Sequence, residues 1–201
     1  IKKFKIEKIK KIIIQEKHVG MMNAIFSGIK NASSNNVMTI EADMTVPIDE
    51  SIKKFNYFID NNFDLLIGSR YLAKIPKKMP LIRKFISKSY LYLFNNYFKI
   101  NISDPQIGFK ILKKNKFEEI YQYINLKYDG LKSSQLVILF YMFGLNIAEK
   151  SVDYEYKDNS KNFNFKNFSN VIFINLKAFI DLINKTKKLK LEKNFLKNPF
   201  K

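Results

Sequence analysis

Two acidic residues one position apart, Glu41 and Asp43, directly follow the apolar run Val37 to Ile40. Side chains at i and i+2 of an extended chain point the same way, and the strand ends of an open α/β sheet are where ligands commonly sit. Two carboxylates there could hold Mg2+ or Mn2+, hard cations that take oxygen ligands and bridge to phosphate. Asp43 could equally cap a helix starting near Pro47. Gly68-Ser69-Arg70 closes another apolar run in the same manner. The planar fork of Arg70 matches phosphate oxygens, so it is either a diphosphate clamp or a solvated surface arginine. Arg83, with Lys84 and Ser87 on one helical face, is a second phosphate-binding candidate or an ordinary charged face. Asp104 opens the turn Asp104 to Lys110, where it could accept a hydrogen bond from a sugar hydroxyl or an acceptor group, or cap an Asx turn. His18 is the only histidine. Beside an expected helix start, it reads as a cap or surface residue rather than a base.

These residues stand out against a strongly biased composition. The 201-residue chain carries 36 Lys and Arg against 18 Asp and Glu, a formal net charge of +18. Only Arg70 and Arg83 are arginines, and there are six glycines, so each of these positions invites a physical question. A hydrophobic content of 46% excludes wholesale disorder. With no cysteine, neither disulfides nor a thiolate metal site can form. The charge alone fits nucleic acid, an anionic membrane surface or phosphorylated ligands. The excess is almost all lysine, in a chain dominated by Ile, Asn, Lys and Phe, so solvated surface lysine is the expectation and nucleic acid is not the expected partner. The longest apolar stretch, Leu136 to Leu145, falls short of the roughly 20 residues that a membrane span needs. The first apolar run, Ile12 to Ile14, is too short for a signal peptide.

The elements that must position the candidates follow from periodicity. Lys11 to Gln15 reads as a buried strand and Lys17 to Ala32 as a helix, in which Gly28 suggests close packing against a neighbour. Val37 to Ile40 is a strand. A helix runs from Pro47, a good first-turn residue, to about Asn61, with Asp49 and Glu50 favouring its N-terminus. Asp64 to Gly68 is a strand, Tyr71 to Pro80 a basic loop, and Leu81 to Phe98 a helix rich in Tyr and Phe. A brief strand at Ile111 to Leu112 leads to helices at Asn115 to Ile124 and Leu131 to Phe143, the second stopped by Gly144. Ile147 to Tyr156 alternates like an exposed edge strand. After a polar linker, an amphipathic helix covers about Asn167 to Lys188. Strands alternating with helices predict an α/β sheet covered by helices.

Taken in order, Gly20 with its helix, Val37 to Asp43 with Pro47, Asp64 to Arg70, Arg83 with Ser87, and Asp104 to Lys110 resemble family 2 glycosyltransferases. The similarity is greatest to the dolichyl- or polyprenyl-phosphate branch, which includes glucosyl and mannosyl enzymes, and it runs from about Ile12 to Tyr156. It implies a GT-A fold, a Rossmann-like mixed sheet flanked by helices, across residues 1–156, with 157–201 as linker, amphipathic helix and basic tail. It also implies transfer of a hexose from a UDP- or GDP-linked donor to a polyprenyl phosphate, with inversion and with Mg2+ or Mn2+. On this likeness Glu41 and Asp43 would hold the metal, and Arg70 with Ser69 would lie near the donor diphosphate. Arg83 and Ser87 would meet the acceptor phosphate, and Asp43 and Asp104 would lie closest to the chemistry. A lipid-linked acceptor implies a peripheral position at the cytoplasmic face of a membrane.

The sequence departs from that family pattern in four places. A first strand with a Pro-x-Tyr-Asn-Glu-like segment has no counterpart, so the expected domain lacks its opening strand. The usual Gly-Lys-Gly is Gly20-Met21-Met22, and the first Asp of the metal motif is Glu41. The usual Phe-Asp-x-Glu reads Lys132-Ser133-Ser134-Gln135, without carboxylates. A degenerate relative that binds without turnover, or a basic nucleic-acid-binding domain, are the competing readings.

Overall fold

The computed structural model describes residues 20–41, 43–72, 81–125, 127–154 and 165–192, with the backbone alone for 81–83, 165–171 and 192. The expected strand at Lys11 to Gln15, His18, the loop lysines 74, 77 and 78, and the linker after 156 lie outside these residues.

Helix α1 (Met21–Asn31) buries Met22, Phe26 and Ile29, a spacing that keeps them on one face. Its N-terminus is capped from far along the chain, where the Asp129 carboxylate accepts the Met22 N–H at 3.0 Å. Gly20 makes room for that contact: it sits at φ +98°, and a Cβ there would lie 2.5 Å from Asp129 Cγ. Gly28, expected to mark close packing, instead faces open space with nothing within 4 Å of a built Cβ. The helix buries a different face, so among the described residues the glycine has no packing partner.

Strand β1 (Asn36–Thr39) leads to α2 (Ile48–Asp60), which follows Pro47 with Asp49 and Glu50 in its first turn as expected. Strand β2 (Leu65–Ser69) is buried at every position, so both faces of the sheet are covered there. Helix α3 (Leu81–Phe98) and strand β3 (Lys110–Lys113) follow, then α4 (Lys114–Tyr121), which stops a turn short of the expected Ile124. A short 3-10 turn (Asp129–Leu131) introduces α5 (Lys132–Met142), and Gly144 at φ +67° ends it. Strand β4 (Ile147–Ser151) precedes α6 (Phe165–Glu192).

The four strands form one mixed sheet in the order β1-β3-β2-β4. β3 is antiparallel to both neighbours, and β4 is parallel to β2. It follows that β1, β2 and β4 all run one way. Their C-terminal ends share an edge with the start of β3, and everything between Ser103 and Lys110 must enter the sheet at that edge. Helices flank the sheet. The second half of α6 joins the common core through Ala178, Phe179, Leu182 and Leu189, and Phe179 packs against Tyr90, Tyr97 and Phe98. Among the described residues no helix is long and apolar enough to cross a membrane.

Gly68 is where β2 is pressed most tightly. A Cβ there would lie 2.7 Å from Phe109 Cδ1 and 3.0 Å from Val152 Cγ1, and Phe109 is 1% exposed with little room to move. Gly68→Ala is therefore expected to destabilise the fold by about 1–3 kcal/mol, the usual range for overpacking. Denaturant unfolding of the two proteins measures it.

Candidate active site

The shared edge collects polar side chains from every strand. Past β2, Arg70 turns its guanidinium onto Asp104: Nε donates to Oδ2 at 2.7 Å, Nη2 to Oδ1 at 2.8 Å, and the backbone N–H to Oδ2 at 3.1 Å. Asp104 is 2% exposed. Burial works against the Arg70 charge, but the bidentate carboxylate more than offsets it, holding the guanidinium above its ordinary pKa. Tyr71 and Tyr154 flank the guanidinium, at 5.4 and 5.3 Å from their ring centroids. Arg70 is thus neither open to solvent nor unattached. Its orientation is locked.

Ser69 is fully buried. Its hydroxyl shares a hydrogen bond with Ser103 at 2.5 Å and accepts the N–H groups of Tyr71 and Leu72 at 3.2 and 3.3 Å. It therefore shapes the turn that carries Arg70. Across the sheet edge, Glu149 of β4 accepts the N–H groups of Ser103 and Asp104 at 2.8–3.0 Å. Burial raises its carboxyl pKa, opposed by these N–H groups and reinforced by the neighbouring Asp104 charge. The loop carrying Asp104 is consequently held from both β2 and β4.

Past β1, Glu41 lies over the same loop. Its Oε2 accepts the Thr45 hydroxyl at 2.7 Å, and Asp43 Oδ1 accepts the Thr45 N–H at 3.4 Å, so one residue engages both acids. Asp43 is exposed and takes part in this local turn, while Pro47 at the N-cap of α2 supplies no side-chain cap. The Glu41 carboxylate occupies the space that a Cβ on Gly108 would fill, 2.5 Å from Oε1. Arg83 has only its backbone described, within α3, and Ser87 is half-buried on the same helix. Neither is connected to the Glu41, Arg70 and Asp104 group by a described contact.

A lysine that composition makes inconspicuous is also part of this group. Lys110, at the head of β3, is 3% exposed. Its ammonium donates to the Ile107 carbonyl, and to Ser133 Oγ at 2.7 Å; Ser133 in turn donates to the Pro105 carbonyl at 2.9 Å. Burial drives its pKa down to about 7, with Asp104 opposing the shift, Arg70 adding to it, and Glu41 and Glu149 opposing it. Ser134 and Gln135 are buried as well, bonded to Tyr90 and to Tyr123 and Asn125.

The site suits a cation bound between protein and ligand. Two oxygen-bearing acids, one seated in a glycine cradle and one exposed, match the way Mg2+ is held by one or two carboxylates plus substrate phosphates. Among the described residues no group of three or more His, Cys, Asp or Glu forms a cage by itself.

Two outcomes are expected from this geometry. In Gly108→Ala the clash falls on the flexible end of Glu41, so stability should change by less than about 1 kcal/mol, while a crystal structure should show the Glu41 carboxylate moved and its Thr45 bond lost. The second concerns pH. The fold releases the Lys110 proton near pH 7, whereas an ordinary lysine releases it near 10.5. Below pH 7 the full penalty of the buried ammonium applies, and stability from this group rises with pH between those values. Denaturation midpoints from pH 6 to 10 should show that slope, and Lys110→Met should flatten it.

The sequence model of the family described as Glycosyl transferase family 2 matches residues 1–121. The chain is also similar to a dolichol-phosphate mannosyltransferase of Pyrococcus furiosus (strain ATCC 43587 / DSM 3638 / JCM 8422 / Vc1), with 35% identity over 114 residues. That match spans 55% of this chain and 32% of the relative, so the chain covers about a third of that protein's length. With a mixed sheet flanked by helices and a family match over more than half its residues, the chain belongs to glycosyl transferase family 2.

Proposed function

We propose that this chain carries the catalytic core of a glycosyltransferase that moves a hexose from a UDP- or GDP-linked donor to a polyprenyl phosphate, with inversion. The observation that carries the reading is the convergence of Glu41, Arg70 and Asp104 on one sheet edge of a family 2 chain. The relative's name supplies the acceptor class. An acceptor phosphate is already anionic at neutral pH. One of its oxygens forms the new bond to the anomeric carbon as the bond from that carbon to the donor diphosphate breaks, and no proton has to be removed. A carboxylate base on α5 is therefore unnecessary, and the hydroxyl and amide of Ser133 and Gln135 are compatible with turnover.

The demand on the protein is to stabilise the departing nucleoside diphosphate. Arg70, already locked by Asp104, can present its guanidinium charge without reorganising, which is where electrostatic catalysis gains most. Glu41 and Asp43 would hold Mg2+ or Mn2+, which supplies Lewis-acid neutralisation of the diphosphate. Arg83 and Ser87 are assigned to the acceptor phosphate. A peripheral membrane position is supported by helices α3 and α6, which expose Phe85 at 71% and Phe173 at 56%. No carboxylate occurs in residues 65–103 or 159–180, so α3 and the first part of α6 favour an anionic surface.

The test is calorimetry of UDP- and GDP-hexoses with Mn2+ on the full-length protein. Binding that requires the metal is expected, weakened by roughly tenfold or more in Glu41→Ala and in Asp43→Ala, at least the loss typical of disturbed metal sites. Equal affinity in both variants would refute the metal assignment. Binding without any sugar transfer to polyprenyl phosphate would favour the non-catalytic relative.

A further inference from the structure

Lys110 is a buried charged group at this edge that the proposed reaction does not use. A buried ammonium is costly unless it is answered, and an apolar side chain of similar length would pack there with less penalty. Its two partners are neutral oxygens on different elements: the Ile107 carbonyl within the loop, and Ser133 Oγ on α5, which reaches on to the Pro105 carbonyl. Those carbonyls lie between Asp104, which pairs with Arg70, and Gly108, which seats Glu41. Both acids of the site therefore depend on a segment that Lys110 and Ser133 tie down from below. The backbone of Lys110 contributes a further tie, since its N–H donates to Thr39 Oγ at 3.0 Å and Thr39 Oγ donates to the Gly108 carbonyl at 2.6 Å.

We propose that Lys110 is a positioning residue. Through Ile107, Ser133 and Pro105, its ammonium holds the 103–109 loop so that Asp104 meets Arg70 and Gly108 receives Glu41. The charged groups facing it are Asp104 in the loop, Arg70 beyond β2, Glu41 beyond β1 and Glu149 on β4, while α5 presents the neutral Ser133. This deepens the proposed function, because it says what keeps the donor-facing arginine oriented, but its test needs no donor.

The chain has two arginines, so the Nε–H region of a proton–nitrogen spectrum holds two signals, and Arg83→Lys identifies that of Arg70. Solvent exchange of the Arg70 Nε–H is read against the Leu66 and Ile111 amides of the sheet. In Lys110→Met the Arg70 proton should exchange roughly tenfold faster while the sheet amides hold, the signature of local rather than global opening. In the unsubstituted chain the Arg70 exchange protection, corrected for intrinsic base catalysis, should fall as pH rises through about 7; in Lys110→Met that step should be absent. Unchanged Arg70 protection in Lys110→Met, or a loss shared equally by the sheet amides, overturns the proposal. If Lys110→Met does not fold, Ser133→Ala removes one acceptor only. The step should then move to lower pH, because the ammonium has lost a partner, and a step that stays in place overturns the proposal.

Discussion

A carboxylate with almost no access to water must be answered by a cation, by hydrogen-bond donors, or by both. Asp104 is answered by both in Arg70, whose side chain and backbone supply three N–H groups. Removing one member of such a buried pair costs about 3–5 kcal/mol, because the other is left uncompensated. The interaction therefore couples local structure to function: the loop cannot leave the sheet edge without exposing Asp104, and Arg70 cannot swing out without stranding it. Glu149 extends the constraint from the far side by accepting the Ser103 and Asp104 N–H groups. Three segments distant in sequence thus form one rigid corner.

That corner can be so compact only because side chains are missing where the loop meets the strands. At Gly68 the Phe109 ring lies against β2, and at Gly108 the Glu41 carboxylate lies against the loop. The two glycines differ in what a methyl group would displace. At Gly68 it is a core ring, so the consequence falls on stability; at Gly108 it is the end of a flexible side chain, so the consequence falls on the site. Neither glycine has a positive φ, so close approach rather than backbone freedom explains both.

Much of this was legible beforehand. Alternation and helical spacing located the strands and helices because each element has to bury an apolar face; the strand ends drew attention to Glu41 and Arg70, and the turn it opens drew attention to Asp104. The pairing of Arg70 with Asp104 was not legible. The two lie 34 positions apart, and only the antiparallel insertion of β3 brings them together. Lys110 was hidden for another reason: in a chain so rich in lysine, a buried one reads like the rest. Gly28 misleads because it stands among apolar residues at helical spacing, whereas no described residue lies within 4 Å of a Cβ built there. Glu149 sits on an edge strand whose alternation suggests solvent, yet it turns inward to hold the loop.

The exchange of carboxylates for Ser133 and Gln135 on α5 bears on the charge of the whole corner. Arg70 and Asp104 cancel each other. Burial pushes Lys110 towards its neutral form, down to about 7, and it raises the Glu149 carboxyl. A carboxylate in place of Ser133 would have held the lysine proton and kept a second buried ion pair. With a hydroxyl there, the lysine has no anionic partner on α5, and burial weakens its hold on the proton. What the corner keeps fixed is geometry: Arg70 held by Asp104 at the end of β2, and Glu41 seated against Gly108 across the loop.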